Sequence, residues 1–156
     1  MQKNEELIGM LNDLIRINND RFEGYKKALK QTREIDQDLR TLFYKMADES
    51  RKNTSAFITQ ILKLRTVNTT GAGLTGSVYR EWLESKQEFT ATDRIGIIDY
   101  CEHMEKMVQK AYDSALSIEA QIPDNIAAII KVQRREMKGS HHVVKSYNTI
   151  YESIAA

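Results

Sequence analysis

Hydrophobic residues recur at intervals of three and four along most of the chain, the spacing of amphipathic helices that pack in a bundle. One proline and seven glycines occur among the 156 residues, and a protein built from short strands would use more of both in its turns. The pattern predicts an all-α protein whose four long helices span residues 4–30, 33–67, 93–118 and 123–154. We expect Thr32 to cap the second helix and Pro123 to open the fourth.

The connections between the predicted helices differ in length. Short links near residues 30–33 and 119–122 make the helices that they join antiparallel neighbours. The middle connection, residues 68–92, holds three of the seven glycines and a short amphipathic piece at 77–87. It is long enough to run along a helix of ~40 Å. We therefore expect a single domain over 1–156, with two antiparallel hairpins joined by a crossover that contains a short helix, as in ferritin-like four-helix bundles.

Composition and charge exclude several classes of partner. Lys and Arg total 23 and Asp and Glu total 22, which gives a net charge of +1 and no electrostatic basis for binding nucleic acid or an anionic membrane. No apolar run approaches the ~20 residues that cross a bilayer, and residues 1–12 lack the pattern of a signal peptide. The single cysteine, Cys101, cannot form a disulfide within the chain. We expect a cytoplasmic protein with neither nucleic acid nor membrane as its partner.

Polar residues interrupt each predicted apolar seam near the middle of its helix. They are Asn18 on the first helix, Ser50 and Asn53 on the second, Glu102 and Glu105 on the third, and Gln133 and Glu136 on the fourth. Packing the helices side by side would bring these residues into one layer of the core. Buried carboxylates are costly without partners, so the layer requires hydrogen bonds, cations, water or a metal.

Two interpretations of this polar layer compete. A metal centre would use Glu102, Glu105 and Glu136 as ligands, with Glu23 and Glu49 as candidate helpers. A hydrogen-bonded layer of Asn18, Ser50, Asn53 and Gln133 would instead fix the register of the helices. Di-iron bundles use Glu-x-x-His pairs, and no such pair occurs in the chain. The sequence therefore favours the hydrogen-bonded layer and no cofactor, with a divalent metal as the alternative.

Two features of the crossover have simple structural interpretations. Residues 71–76 match the G-x-G-x-x-G pattern, but a dinucleotide site needs a preceding strand, so we interpret them as a helix stop and a flexible connection. Trp82 is predicted to pack as a lid on the bundle, with a dimer contact as the alternative.

Several segments together resemble a known family. They are Asn12-Asp13-Leu14-Ile15 and Asn18-Asn19-Asp20-Arg21-Phe22-Glu23-Gly24-Tyr25 on the first helix, Tyr79-Arg80-Glu81-Trp82 in the crossover, and Cys101-Glu102, Glu105, Tyr112 and Ala115-Leu116 on the third helix. With these the chain resembles uncharacterised bacterial four-helix-bundle proteins of the ferritin-like superfamily. The resemblance implies a ferritin-like bundle and a bacterial, cytoplasmic origin, and it implies no established activity.

These observations favour a protein that is not an enzyme. No histidine is placed to activate a serine or cysteine nucleophile. We expect a helical bundle that acts by protein association, with a stress or storage role suggested by the superfamily likeness. The expected partner is a second copy, most simply a dimer, or another protein. The alternatives are a carboxylate-rich protein that binds Fe, Mn or Zn, and a small-ligand binder that uses the space around the polar layer.

Overall fold

The computed structural model describes residues 2–65, 76–118 and 122–155, with side chains described for 4–65, 76–118 and 122–147. These residues form helices and no strand, which confirms the predicted all-α class. The helices are α1 (Gln2–Gln31), α2 (Gln37–Arg65), α3 (Ser77–Ser85), α4 (Arg94–Leu116) and α5 (Asp124–Ala155). The glycine-rich residues 71–75 lie outside the described part of the chain.

The four long helices form a closed ring in the order α1, α2, α5, α4. Residue numbers run in opposite directions across the contacts, since Asn18 bonds Tyr112 while Tyr25 bonds Glu105. Likewise, Gln60 bonds Asn125 while Glu49 bonds Ser140. The contact between α1 and α2 is antiparallel too, since Arg21 bonds Ser50 while Asn18 bonds Asn53. Therefore α2 ends at one end of the bundle and α4 begins at the other. The chain between α2 and α4 therefore has to cover the length of the bundle.

The periodicity of α1 predicts a seam of seven residues, five of which are buried. The seam is Ile8, Leu11, Ile15, Asn18, Phe22, Tyr25 and Leu29. Ile15 and Phe22 belong to the predicted seam but are only partly buried, whereas Leu14, Ile17 and Arg21 are fully buried. Neighbouring residues on a helix point about 100° apart. The buried face of α1 is therefore wider than the predicted seam, because α1 packs against α2, α3 and α4.

The short helix α3 lies along α1 and α4. Val78 and Trp82 are buried beneath it, and the Trp82 indole N–H donates to Asp20 Oδ2 at 2.9 Å. Asp13 accepts from the backbone N–H groups of Gly76 at 3.0 Å and Tyr79 at 3.3 Å. A side chain of α1 thus satisfies two of the backbone amides at the start of α3. Trp82 packs against its own bundle, as the lid interpretation predicts.

The observed start of α2 shows that the predicted cap of that helix was wrong. Thr32 does not cap the second helix, because α2 begins at Gln37. Its hydroxyl instead donates to the Ala28 carbonyl at 2.6 Å, at the end of α1. Asp93 caps α4 by accepting from the Gly96 N–H at 2.8 Å. None of the helices in the described residues is long and apolar enough to cross a membrane.

Candidate functional site

An arginine lies at the centre of the bundle. Arg21 of α1 is fully buried, and its Nη2 atom lies 2.6 Å from Glu105 Oε1 and 2.7 Å from Glu49 Oε1. The Arg21 Nε atom also donates to both Glu105 oxygens, at 3.0 and 3.2 Å. Nη1 donates to Ser50 Oγ at 2.9 Å and to the Met46 carbonyl at 3.3 Å. One guanidinium therefore joins α1, α2 and α4.

The two carboxylates of this network have different surroundings. Glu105 is fully buried and also accepts from the Tyr25 hydroxyl at 2.6 Å. Glu49 retains some contact with solvent, with 16% of its side chain exposed, and it accepts from Ser140 Oγ of α5 at 3.1 Å. The network thus reaches all four long helices and has a buried end at Glu105 and a partly exposed end at Glu49.

Burial and charge shape the ionisation of the network. Burial by itself would lower the pKa of Arg21, but the negative charges of Glu105 and Glu49 outweigh it, and the pKa lies above its ordinary value. Burial, reinforced by Glu105, raises the pKa of Tyr25 and that of Cys101. Arg21 therefore stays charged, while Tyr25 and Cys101 stay neutral at physiological pH. A neutral, buried thiol is a poor nucleophile.

A second, uncharged set of hydrogen bonds continues from this network along the bundle. The Asn18 amide donates to Tyr112 Oη at 2.9 Å, and Tyr112 donates to Gln133 Oε1 at 2.6 Å. Asn53 donates to Asn18 Oδ1 at 3.2 Å, and Gln133 donates to the Asn53 carbonyl at 3.4 Å. The structure thus brings Asn18, Asn53 and Gln133 together, while Ser50 belongs to the Arg21 network. Buried polar groups with partners of this kind fix helix register.

The carboxylates proposed as metal ligands do not converge. Glu136 is exposed on α5, where the neighbouring Met137 takes the core position. Glu23 is exposed and pairs with Lys26 at 3.9 Å. Glu102 is partly buried and lies 3.8 Å from Lys106 Nζ. The remaining two of the five, Glu49 and Glu105, meet at Arg21. The described residues contain no group of three or more His, Cys, Asp or Glu that could hold a metal ion.

The position between Glu49 and Glu105 is already filled by a protein cation. A metal ion bound to both carboxylates would have to displace the Arg21 guanidinium or accept its repulsion in a medium of low dielectric constant. What this arrangement supplies is charge neutralisation and a link between helices. It presents no nucleophile with an adjacent base.

Sequence reasoning missed Arg21, Tyr25 and Tyr112 as parts of this site. The signal that could have found them is their spacing, because Arg21 is three residues after Asn18 and four before Tyr25. That spacing places all three α1 residues on one face of the helix. A charged residue on that face needs a partner on a facing helix, and Glu105 provides it.

Comparison with known proteins gives a family without an assigned activity. No curated protein matches the chain. Residues 6–118 match the family described as Domain of unknown function (DUF2383). The matched residues include most of α1 and all of α2, α3 and α4. Since these residues make up more than half of the sequence, the chain belongs to the DUF2383 family.

Proposed function

We propose that this protein is a metal-independent helical bundle that acts by protein association, with a second copy of the chain as its partner. The observation that carries the proposal is Arg21, whose guanidinium bonds both Glu49 and Glu105. In a di-metal bundle the corresponding role, neutralising carboxylates from facing helices, belongs to the metal ions. Here an internal cation performs it. The polar residues at the centre of the bundle then stabilise the fold, and the partner binds at the surface.

The outer face of α2 supports association with a second copy. Tyr44, Ile58 and Leu62 are 59%, 45% and 59% exposed, and at helical spacing they lie on one stripe with Asp48 and Arg51. Exposed aromatic and aliphatic side chains are typical of interface centres. Because the stripe carries one charge of each sign, it can pair with its own copy about a two-fold axis.

We also infer that the bundle is of the ferritin-like kind. The antiparallel hairpins and the connection that covers the length of the bundle support this inference. The likeness concerns the architecture. It carries no activity to this chain.

Metal loading tests the first part of the proposal. Purified protein is incubated anaerobically with Fe(II) or Mn(II) and desalted, and the metal per chain is measured by mass spectrometry. We expect no stoichiometric metal, and an unfolding midpoint that EDTA leaves unchanged. Metal at one equivalent per chain, lost in Glu105→Gln and kept in the exposed control Glu34→Gln, would overturn the proposal.

Light scattering after size-exclusion chromatography tests the second part. We expect a dimer that Leu62→Lys converts to a monomer, because the new charge would be buried in the interface. Leu83→Lys is the matched control, since Leu83 is an exposed leucine on α3. A monomer in the unmodified protein, or a dimer that both variants leave intact, would refute the α2 interface.

A further inference from the structure

A pocket opens between α1 and α2, beside the Arg21 network. Its volume is about 280 Å³, close to the lower end of the ~300–1,000 Å³ range of small-molecule sites. Its walls combine one aromatic ring with hydroxyl, amide and guanidinium groups. They come from Asn19, Phe22, Ser50, Arg51, Thr54 and Ser55.

Two hydroxyl groups in this pocket have protons to donate. Thr54 Oγ1 is buried and has no hydrogen-bond partner among the described residues. Because Ser50 Oγ accepts a hydrogen bond from Arg21 Nη1 at 2.9 Å, the proton of the serine hydroxyl points away from that guanidinium. Among the hydrogen bonds of the described residues, none has Ser50 as its donor. Buried donors of this kind call for an acceptor.

One of the residues that line the pocket carries a positive charge. The Arg51 guanidinium lines the pocket and lies 5.9 Å from the centre of the Phe22 ring. Arg51 makes no ion pair among the described residues, and its planar fork suits a bidentate oxyanion. Arg51, Ser50 and Thr54 are neighbours along α2, so one helix supplies the cation and both hydroxyls.

We propose that this pocket binds a compact metabolite through an oxyanion group, a carboxylate or a phosphate. The anion accepts hydrogen bonds from the Ser50 and Thr54 hydroxyls and pairs with Arg51, while Phe22 covers the apolar part of the molecule. Through Ser50 the ligand is one hydrogen bond from Arg21. Arg51 belongs to both the pocket and the α2 stripe, but neither Ile58 nor Leu62 lines the pocket, so Leu62→Lys tests the dimer contact without changing a pocket residue.

Nuclear magnetic resonance titration of the full chain tests this site, with inorganic phosphate and acetate as probes and sodium chloride as the ionic-strength control. We expect saturable shifts of backbone amides around the pocket with at least one probe. Thr54→Val and Arg51→Gln should each weaken binding about tenfold, the effect of losing one hydrogen bond to a charged group. A response to phosphate alone assigns a phosphorylated ligand, and a response to acetate alone assigns a carboxylate.

Two matched variants control the experiment. Thr59→Val removes a hydroxyl from an exposed position on the same helix, and Lys52→Gln removes a charge next to Arg51. Both should change the affinity less than about twofold. The proposal is overturned if neither probe gives saturable shifts at about 10 mM, or if chloride reproduces them. It is also overturned if saturable binding is the same in Thr54→Val and Arg51→Gln as in the controls.

Discussion

Substituting either partner of the Arg21–Glu105 pair should have unequal effects on stability. Arg21→Met leaves the fully buried Glu105 with Tyr25 as its remaining side-chain donor, at 2.6 Å. Removing one partner of a buried pair in this way costs about 3–5 kcal/mol. Glu105→Gln instead leaves Arg21 paired with Glu49 at 2.7 Å, so we expect a smaller loss of about 1–3 kcal/mol.

The double variant tests whether the cost arises from an unpaired charge. In Arg21→Met/Glu105→Gln the buried charge is gone, and the glutamine oxygen still accepts from Tyr25. Replacing both members of a buried ion pair by neutral groups is often far less costly than removing one. We therefore expect the double variant to be more stable than Arg21→Met by about 1 kcal/mol or more, although it contains one substitution more.

Urea unfolding followed by far-ultraviolet circular dichroism measures all three variants. Arg135→Met, at an exposed position of α5, is the control and should change the free energy of unfolding by no more than about 0.5 kcal/mol. The reasoning is refuted if Arg21→Met costs no more than this control. It is also refuted if the double variant loses the sum of the two single losses, because independent sites add.

Replacing Gly139 by alanine should stabilise the protein by about 0.5–1 kcal/mol, because no described atom lies within 4 Å of the added Cβ. The same change at Gly24 should destabilise it, since the new Cβ would lie 2.6 Å from Met104 Sδ; urea unfolding compares the two, and equal gains would contradict the packing difference. Burial lowers the pKa of His141 from its usual 6.5, so below that pH protons bind the unfolded chain preferentially and the free energy of unfolding should fall as the pH drops. His141→Gln should reduce this slope in urea unfolding between about pH 5 and pH 8, and an equal reduction in His142→Gln would contradict the assignment.

Periodicity predicted the helices because an apolar stripe at intervals of three and four has one stable arrangement, a helix that buries that stripe. The lengths of the links predicted antiparallel hairpins, since a short link leaves no room for a parallel return. The helix ends were harder to predict from the sequence. Thr32 has the side chain of a cap, but whether it closes α1 or opens α2 depends on where the α1–α2 link turns.

The interruptions of the seams identified the height of the polar layer but not all of its members. The uncharged residues of the layer do bond one another, since Asn53 donates to Asn18 and Gln133 donates to the Asn53 carbonyl. An uncharged polar residue on an apolar seam has few alternatives to burial with a hydrogen-bond partner. Glu136 was assigned to the core where Met137 belongs. A shift of one position hardly changes the hydrophobic pattern. It nevertheless turns the side chain by about 100° about the helix axis, which is enough to move it from the core to the surface.

Arg21 was missed because arginine is almost never fully buried unless it is paired, and its pair is 84 residues away. No local pattern contains that contact. The sign of the charges nevertheless distinguishes the two interpretations of the polar layer. A metal centre collects acidic side chains and excludes cations from its level of the bundle. An arginine on the same helical face as Asn18 and Tyr25, facing glutamates on α2 and α4, neutralises the layer from within. In a bundle of this kind, the basic residues of the seam therefore decide between a metal centre and an internal ion pair.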